Sequence, residues 1–102
     1  MSKDLQIIQQ LHNRFGEFYH RWNGNKITYL RLTLEGVENK DLELIGELTS
    51  LEELKLDYND ISTIQGLEKL TKLRWLHLAY TKILKEEIKQ FKTNHPKINV
   101  FF

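Results

Sequence analysis

The clearest hydrophobic pattern in the chain lies between residues 51 and 73. It begins as Leu51-Glu52-Glu53-Leu54-Lys55-Leu56, in which the apolar Leu54 and Leu56 flank a polar residue. This alternation predicts a short strand with one buried face. Apolar residues then recur at every third position, which predicts a 3₁₀ or helical return segment. These residues are Ile61, Ile64, Leu67 and Leu70.

The same pattern recurs along the chain. Its apolar start is found at Ile27, Leu51, Leu73 and Ile98, at spacings of 24, 22 and 25 residues. Units of this length stack side by side, so equivalent residues are expected to become lateral neighbours on parallel strands. We therefore expect four units, the last reduced to its strand. The third return segment, residues 83–92, is predicted to be an α-helix.

Residues 2–22 carry apolar side chains at spacings of three and four, which predicts one amphipathic helix. Ser2 can cap its first turn, and Asn23-Gly24-Asn25 supplies a turn into the first strand. We interpret this helix as a cap over the core of the first unit. A second interpretation is a helix that binds a partner. The apolar stripe consists of Leu5, Ile8, Leu11, Phe15, Phe18 and Trp22.

The pattern from Leu51 to Leu73, with Asn59 at the turn after the strand, resembles the leucine-rich repeat family and its class of 22-residue units. The third unit, with Pro96-Lys97-Ile98 after its helix, is similar to the bacterial variety. The resemblance covers about residues 27–102. It implies an α/β fold: a short leucine-rich repeat solenoid with about four parallel strands on its concave face, helical or 3₁₀ returns and an N-terminal capping helix. It also implies that Asn59 satisfies backbone groups of neighbouring units, and that the concave face binds another protein.

The length of the chain, 102 residues, predicts one domain over residues 1–102, with a capping helix and turn in 1–24 and the repeats in 25–102. The formal net charge of +1 indicates no bulk attraction to nucleic acid or to anionic lipid. No apolar run reaches the roughly 18–20 residues of a membrane helix, and the first residues lack the apolar stretch of a signal peptide. Cysteine is absent. We therefore expect a cytoplasmic protein.

Candidate catalytic and metal-binding chemistry is sparse. The histidines are not spaced with acids as metal ligands are, and the chain has no glycine-rich phosphate loop. We therefore expect no catalytic residue, no cofactor and no metal site, in a protein that is not an enzyme. The four histidines are His12, His20, His77 and His95.

Outward-facing residues of stacked strands should form columns across the concave face. Three columns are expected, with large apolar side chains at the strand exits. The first column reads Tyr29, Glu53, Trp75 and Val100; the second Arg31, Lys55 and His77, with Phe102 beyond it; the third Thr33, Asp57 and Ala79; the exits hold Leu34, Tyr58 and Tyr80.

The aromatic and charged residues of these columns are the candidate binding surface, since Trp, Tyr and Arg are over-represented among interface anchors. For Trp75, burial in the core is the alternative. The candidate partner-binding residues are Tyr29, Arg31, Lys55, Asp57, Tyr58, Trp75, His77 and Tyr80.

The second column places Arg31 beside Lys55, and like charges opposite each other destabilise a sheet. Two interpretations stay open. In the first, Glu53 and Asp57 neutralise Arg31 and Lys55 as diagonal neighbours. In the second, a partner supplies a carboxylate or a phosphate that neutralises them.

The sequence therefore predicts a non-enzymatic protein–protein interaction module that binds another protein through the concave strand face. One alternative is an anion or nucleic-acid binder that uses Arg31, Lys55 and His77, although the near-neutral charge disfavours nucleic acid. Another is a structural unit that self-associates through its C-terminal strand. We expect a monomer without membrane contact, with a homodimer through residues 98–102 as the alternative.

Overall fold

A computed structural model describes residues 2–102 of the chain. This part of the chain contains three helices and five strands, and a 3₁₀ turn at Asn39–Asp41 precedes the second helix. None of the helices within residues 2–102 is long and apolar enough to cross a membrane. In chain order the elements are α1 (Lys3–Phe15), β1 (Tyr19–Asn23), β2 (Lys26–Arg31), α2 (Leu42–Ile45), β3 (Glu53–Lys55), β4 (Trp75–His77), α3 (Lys85–Asn94) and β5 (Asn99–Phe101).

The strands form one mixed sheet in the order β1-β2-β3-β4-β5. β1 and β2 are antiparallel, whereas β2 to β5 run parallel to one another. Leu30, Leu54 and Leu76 lie side by side on β2, β3 and β4, and all three are fully buried. The lateral pairing expected of residues 27–78 is therefore confirmed for these three strands.

The predicted fold class is nevertheless wrong. Instead of a short leucine-rich repeat solenoid with an N-terminal capping helix, the chain forms a small α/β domain around a five-stranded mixed sheet. The connections between parallel strands do not repeat one structure. A 3₁₀ turn and the short α2 follow β2, turns alone follow β3, and the ten-residue α3 follows β4.

The N-terminal prediction fails because the helix is shorter than its apolar stripe suggested. Ser2 caps α1 by accepting a hydrogen bond from the Leu5 N–H at 3.2 Å, as expected. The helix ends at Gly16, which has a φ of +77° and donates its N–H to the His12 carbonyl. Only glycine adopts this conformation without steric cost, so the chain turns here. The residues beyond form β1 and add a strand to the sheet instead of a cap.

The buried side of α1 is also displaced from the predicted stripe. Leu5 is exposed, whereas Asp4 is buried, with 3% of its surface accessible. The Asp4 carboxylate accepts a hydrogen bond from the Ile27 N–H at 2.8 Å and so ties α1 to β2. The apolar members of this face are Ile7, Ile8 and Leu11.

Arg14 makes a second connection from α1. Its guanidinium donates to Asp41 at 3.1 and 3.2 Å and to Glu38 at 2.8 Å. The hydrogen bond to Asp41 is the main reason why the pKa of Arg14 lies above its ordinary value. The end of the helix is thereby held against the 3₁₀ turn.

Asn59 is buried behind the parallel strands, where it satisfies backbone groups as expected. Its side-chain oxygen accepts from the N–H groups of Glu35 at 3.2 Å and Val37 at 3.0 Å. Its amide group donates to the carbonyls of Leu32 at 2.8 Å, Leu56 at 2.9 Å and, at 3.2 Å, Asp57. One side chain thus satisfies backbone groups of both segments that follow β2 and β3, in addition to the backbone hydrogen bonds that join them.

A close backbone contact joins the connections that follow β2 and β3. A Cβ atom at Gly46 would overlap the carbonyl oxygen of Gly66. Gly66 itself has a φ of +106°, a conformation that favours glycine. Both glycines are therefore required by the packing of these connections.

The last strand pairs one residue away from the predicted register. Trp75 lies opposite Asn99, and His77 lies opposite Phe101. Because successive strand residues face opposite sides, this shift turns Val100 towards the core. The predicted places of Val100 in the first column and Phe102 in the second are therefore wrong.

Candidate functional site

We call the outward side of the sheet the open face. It consists of the side chains that alternate with the buried leucines, and it spans all five strands. The open face contains Tyr19 and Arg21 of β1, Tyr29 and Arg31 of β2, Glu53 and Lys55 of β3, Trp75 and His77 of β4, and Asn99 and Phe101 of β5.

Five of the eight candidate residues lie on the open face, and the other three lie just beyond the carboxyl ends of the strands. Arg31, Lys55 and His77 form one row in register across β2, β3 and β4. Trp75 is 40% exposed, so the interpretation of this residue as core is wrong. The open-face candidates are Tyr29, Arg31, Lys55, Trp75 and His77; those beyond the strand ends are Asp57, Tyr58 and Tyr80.

Glu53 and Asp57 do not form ion pairs with Arg31 or Lys55, as the local interpretation proposed that they would. Glu53 is within 2.9 Å of the His77 ring nitrogen Nε2. Among residues 2–102, neither Arg31 nor Lys55 takes part in an ion pair. One Asp57 oxygen, Oδ1, is buried without a hydrogen-bond partner in the same part of the chain. Two like charges therefore lie opposite each other on adjacent strands without a neutralising carboxylate.

His77 is held from both sides. Glu53 contacts its Nε2 atom, and the Phe101 ring stacks on it with centroids 4.6 Å apart and planes inclined by 18°. Towards the other edge, the Arg21 guanidinium lies 5.0 Å from the centroid of the Tyr29 ring. These contacts fix the flanks of the open face, while Arg31 and Lys55 stay available between them.

A ridge of apolar residues follows the carboxyl ends of β2, β3 and β4. Leu34, Tyr58 and Tyr80 each have a positive φ, of 56°, 60° and 58°. All three are exposed, and the two tyrosine rings stack at 4.6 Å with an angle of 15°. A left-handed conformation costs a non-glycine residue roughly 1–2 kcal/mol. The ridge is therefore a place where backbone strain accompanies exposed apolar surface, a combination common at binding sites.

Arg31 also lines a shallow depression of about 520 Å³ near the β1 edge. The aromatic residues Phe18 and Tyr19 form part of its wall, and Glu17 and Glu35 are its acids. These two carboxylates are outside ion-pair distance of Arg31. Arg31 can therefore be approached from the side of β1 as well as from the front of the sheet.

The outward residues of β1 and the outward position of Phe101 do not follow from the sequence pattern. The helix predicted over residues 2–22 includes Tyr19 and Arg21, which lie on β1. The signal that could have found them is Gly24-Asn25, a dipeptide typical of two-residue hairpin turns, which lies between the paired residues Asn23 and Lys26. Phe101 offers no such signal, because the run from Ile98 to Phe102 does not alternate clearly between apolar and polar residues.

Within residues 2–102, no three His, Asp or Glu side chains are grouped in a way that could hold a metal ion. The absence of a catalytic residue, a cofactor and a metal stays a prediction from the sequence.

No protein-family model, no curated protein and no solved structure matches the chain. The resemblance to leucine-rich repeats therefore stays a prediction.

Proposed function

We propose that this chain is a non-enzymatic interaction module that binds a partner protein through the open face. The observation that carries the proposal is the pair of Arg31 and Lys55, neither of which has an ion-pair partner within residues 2–102, next to the exposed Trp75. The proposed setting is the cytoplasm, which follows from composition alone.

The charge pair favours a partner with carboxylates at its surface. Like charges opposite each other on a sheet are unfavourable, and an incoming carboxylate would remove this repulsion. The Arg31 guanidinium can hold such a group through two parallel hydrogen bonds. We therefore propose an acidic segment of the partner as the group that meets Arg31 and Lys55.

Trp75 and Tyr29 supply the apolar part of the proposed interface. They flank the basic row on β4 and β2, and both lie on strands that hold them in place. Aromatic side chains of this kind give large contact area at small cost in conformational entropy. The pairing of charge with aromatic area is typical of interface hot spots.

The same basic row favours a second candidate, a protein that binds the phosphates of a nucleic acid. A binder of this kind loses affinity steeply between about 50 and 200 mM salt, whereas an interface with an apolar centre loses less.

A third candidate is self-association through residues 98–102. It draws on the exposed Phe101 and Phe102 and on the position of β5 at one edge of the sheet. This candidate is tested by light scattering, which measures the molar mass of the protein in solution with Phe101 and Phe102 intact and with both replaced by polar residues.

The proposal is tested with the double variant Trp75→Ala/Arg31→Ala. A partner is first isolated from the native host, and its affinity is then measured with both proteins purified. We expect a loss of at least about thirtyfold, which corresponds to about 2 kcal/mol for a hot spot. The matched control is Leu84→Ala/Lys89→Ala, which removes an exposed apolar residue and an exposed cation at α3. Unchanged affinity in the open-face variant, with the fold intact, would rule out the proposal.

A further inference from the structure

A second basic cluster lies at the amino ends of β3 and β4, in a depression of about 610 Å³ that we call the amino-edge pocket. Its cations come from two segments of the chain. Lys72 and Arg74 precede β4, and Lys97 precedes β5. Glu52 is the one acid in its lining, and Trp75 forms part of its wall.

The amino-edge pocket has a more positive local charge than the chain as a whole. Three cations face one acid, although the whole chain has a formal net charge of only +1. Within residues 2–102, none of Lys72, Arg74 and Lys97 takes part in an ion pair. The pocket therefore presents concentrated positive charge that an anion could neutralise.

The strand backbone fixes the middle of the pocket. The Arg74 N–H donates to the Glu52 carbonyl at 2.8 Å, and the Trp75 N–H donates to the same oxygen at 3.1 Å. The Arg74 carbonyl accepts from the Asn99 N–H at 2.8 Å and from the Asn99 side chain at 3.2 Å. Arg74 and Trp75 thus start from a fixed backbone, which reduces the entropy lost when a ligand binds.

We propose that the amino-edge pocket binds a nucleoside phosphate, with the phosphate on the cations and the base on Trp75. A phosphate group carries a charge of about −1.5 to −2 and offers several acceptor oxygens. An aromatic side chain stacks on the planar face of a base. Inorganic phosphate would leave Trp75 unused, and an uncharged aromatic ligand would leave three cations unused. The volume lies within the range of about 300–1,000 Å³ that is common for small-ligand sites.

The same chemistry is present in a free mononucleotide and in one nucleotide of a single strand. The amino-edge pocket overlaps the proposed partner surface at Trp75, and its cations lie outside the open face. Variants of Lys72 and Arg74 therefore test the pocket without touching Arg31 or Lys55.

Fluorescence of Trp75 reports directly on the pocket. The chain has two tryptophans, so Trp22→Phe leaves Trp75 as the single reporter. AMP, adenosine and inorganic phosphate are titrated into this protein at about 50 mM salt, where a phosphate contact is strongest, and calorimetry repeats each titration. We expect AMP to bind at least tenfold more tightly than either of its parts. A ten-nucleotide single strand is the last probe. If the single strand binds more tightly than AMP, the natural ligand is a nucleotide within a nucleic acid. If the two bind equally, the natural ligand is a free nucleotide.

Charge variants then separate a specific pocket from general attraction. Lys72→Gln/Arg74→Gln should lower the affinity for AMP at least tenfold, whereas Glu52→Gln should raise it two- to threefold. The control Lys85→Gln/Lys89→Gln removes the same charge from exposed positions on α3 and should have little effect. Circular dichroism confirms that each variant is folded.

Three results would overturn the proposal. The first is no response to AMP at millimolar concentration, and the second is an equal loss in the control variant. The third is binding of inorganic phosphate as tight as that of AMP, which would remove the role of Trp75. Each of these results leaves the affinity of the open face for its partner unaffected, so the two proposals fail separately.

Discussion

The hairpin end of the sheet and its parallel strands are held together by different means. β1 and β2 have five and six residues and are joined by a tight turn, so most of their pairing is local. β3 and β4 have three residues each. Strands this short offer few ladder hydrogen bonds, and the segments behind them must supply the rest. The parallel part of the open face therefore depends on the apolar core and the polar contacts behind it more than the hairpin does.

In each of the two regions, one buried polar side chain links neighbouring elements through hydrogen bonds. Asp4 joins α1 to the start of β2 at the hairpin end. Asn59 joins the ends of β2 and β3 in the parallel part, with five hydrogen bonds to backbone groups. Asn59 therefore serves more of the sheet than Asp4 does.

The largest effect is expected from Asn59→Ala. Several buried N–H and carbonyl groups would lose their partner, and each such group costs about 1–3 kcal/mol, partly relieved by water. We expect the free energy of unfolding in urea to fall by about 3–5 kcal/mol. The control is Asn99→Ala, whose side chain is exposed and makes one hydrogen bond, to Arg74. A loss for Asn59→Ala no larger than for Asn99→Ala would show that the parallel strands do not depend on this residue.

A smaller effect is expected from Asp4→Ala, because one buried hydrogen bond is lost. The free energy of unfolding should fall by about 2 kcal/mol. Hydrogen exchange should show faster exchange at the Ile27 amide and little change at Leu54. Asp4→Asn is the matched variant, since its side-chain oxygen can still accept from Ile27. If protection at Ile27 were the same in all three proteins, the proposed link between α1 and β2 would be incorrect.

The two regions also differ in how far the sequence predicted them. Leu54 and Leu56 flank one polar residue, and so do Leu76 and Leu78, so the positions and register of β3 and β4 followed from the pattern. Phe18 and Trp22 are four residues apart, and this separation places both on one face of a helix or on one face of a strand. Gly16 decides between them, because its backbone conformation ends the helix.

Several features of the surface depend on lateral neighbours that no local pattern reveals. Glu53 could have turned to Lys55 or to His77, and its contact with His77 leaves Arg31 and Lys55 with no ion-pair partner in the part of the chain that the structure describes. The positive φ angle of Tyr58 is unexpected from residue type, since tyrosine disfavours it. The amino-edge pocket brings Lys97 to a segment more than twenty residues earlier in the chain.

We infer that Arg31 and Lys55 of the open face serve binding and not folding. This inference is tested most directly by Lys55→Gln, with partner affinity and the free energy of unfolding measured on the same preparation. The variant removes one charge of the facing pair and no ion pair, so we expect stability to stay within about 0.5 kcal/mol of the parent or to rise slightly. Partner affinity should fall about tenfold, because a charge-assisted contact is lost. Unchanged affinity, or a loss of stability large enough to account for weaker binding, would contradict the claim.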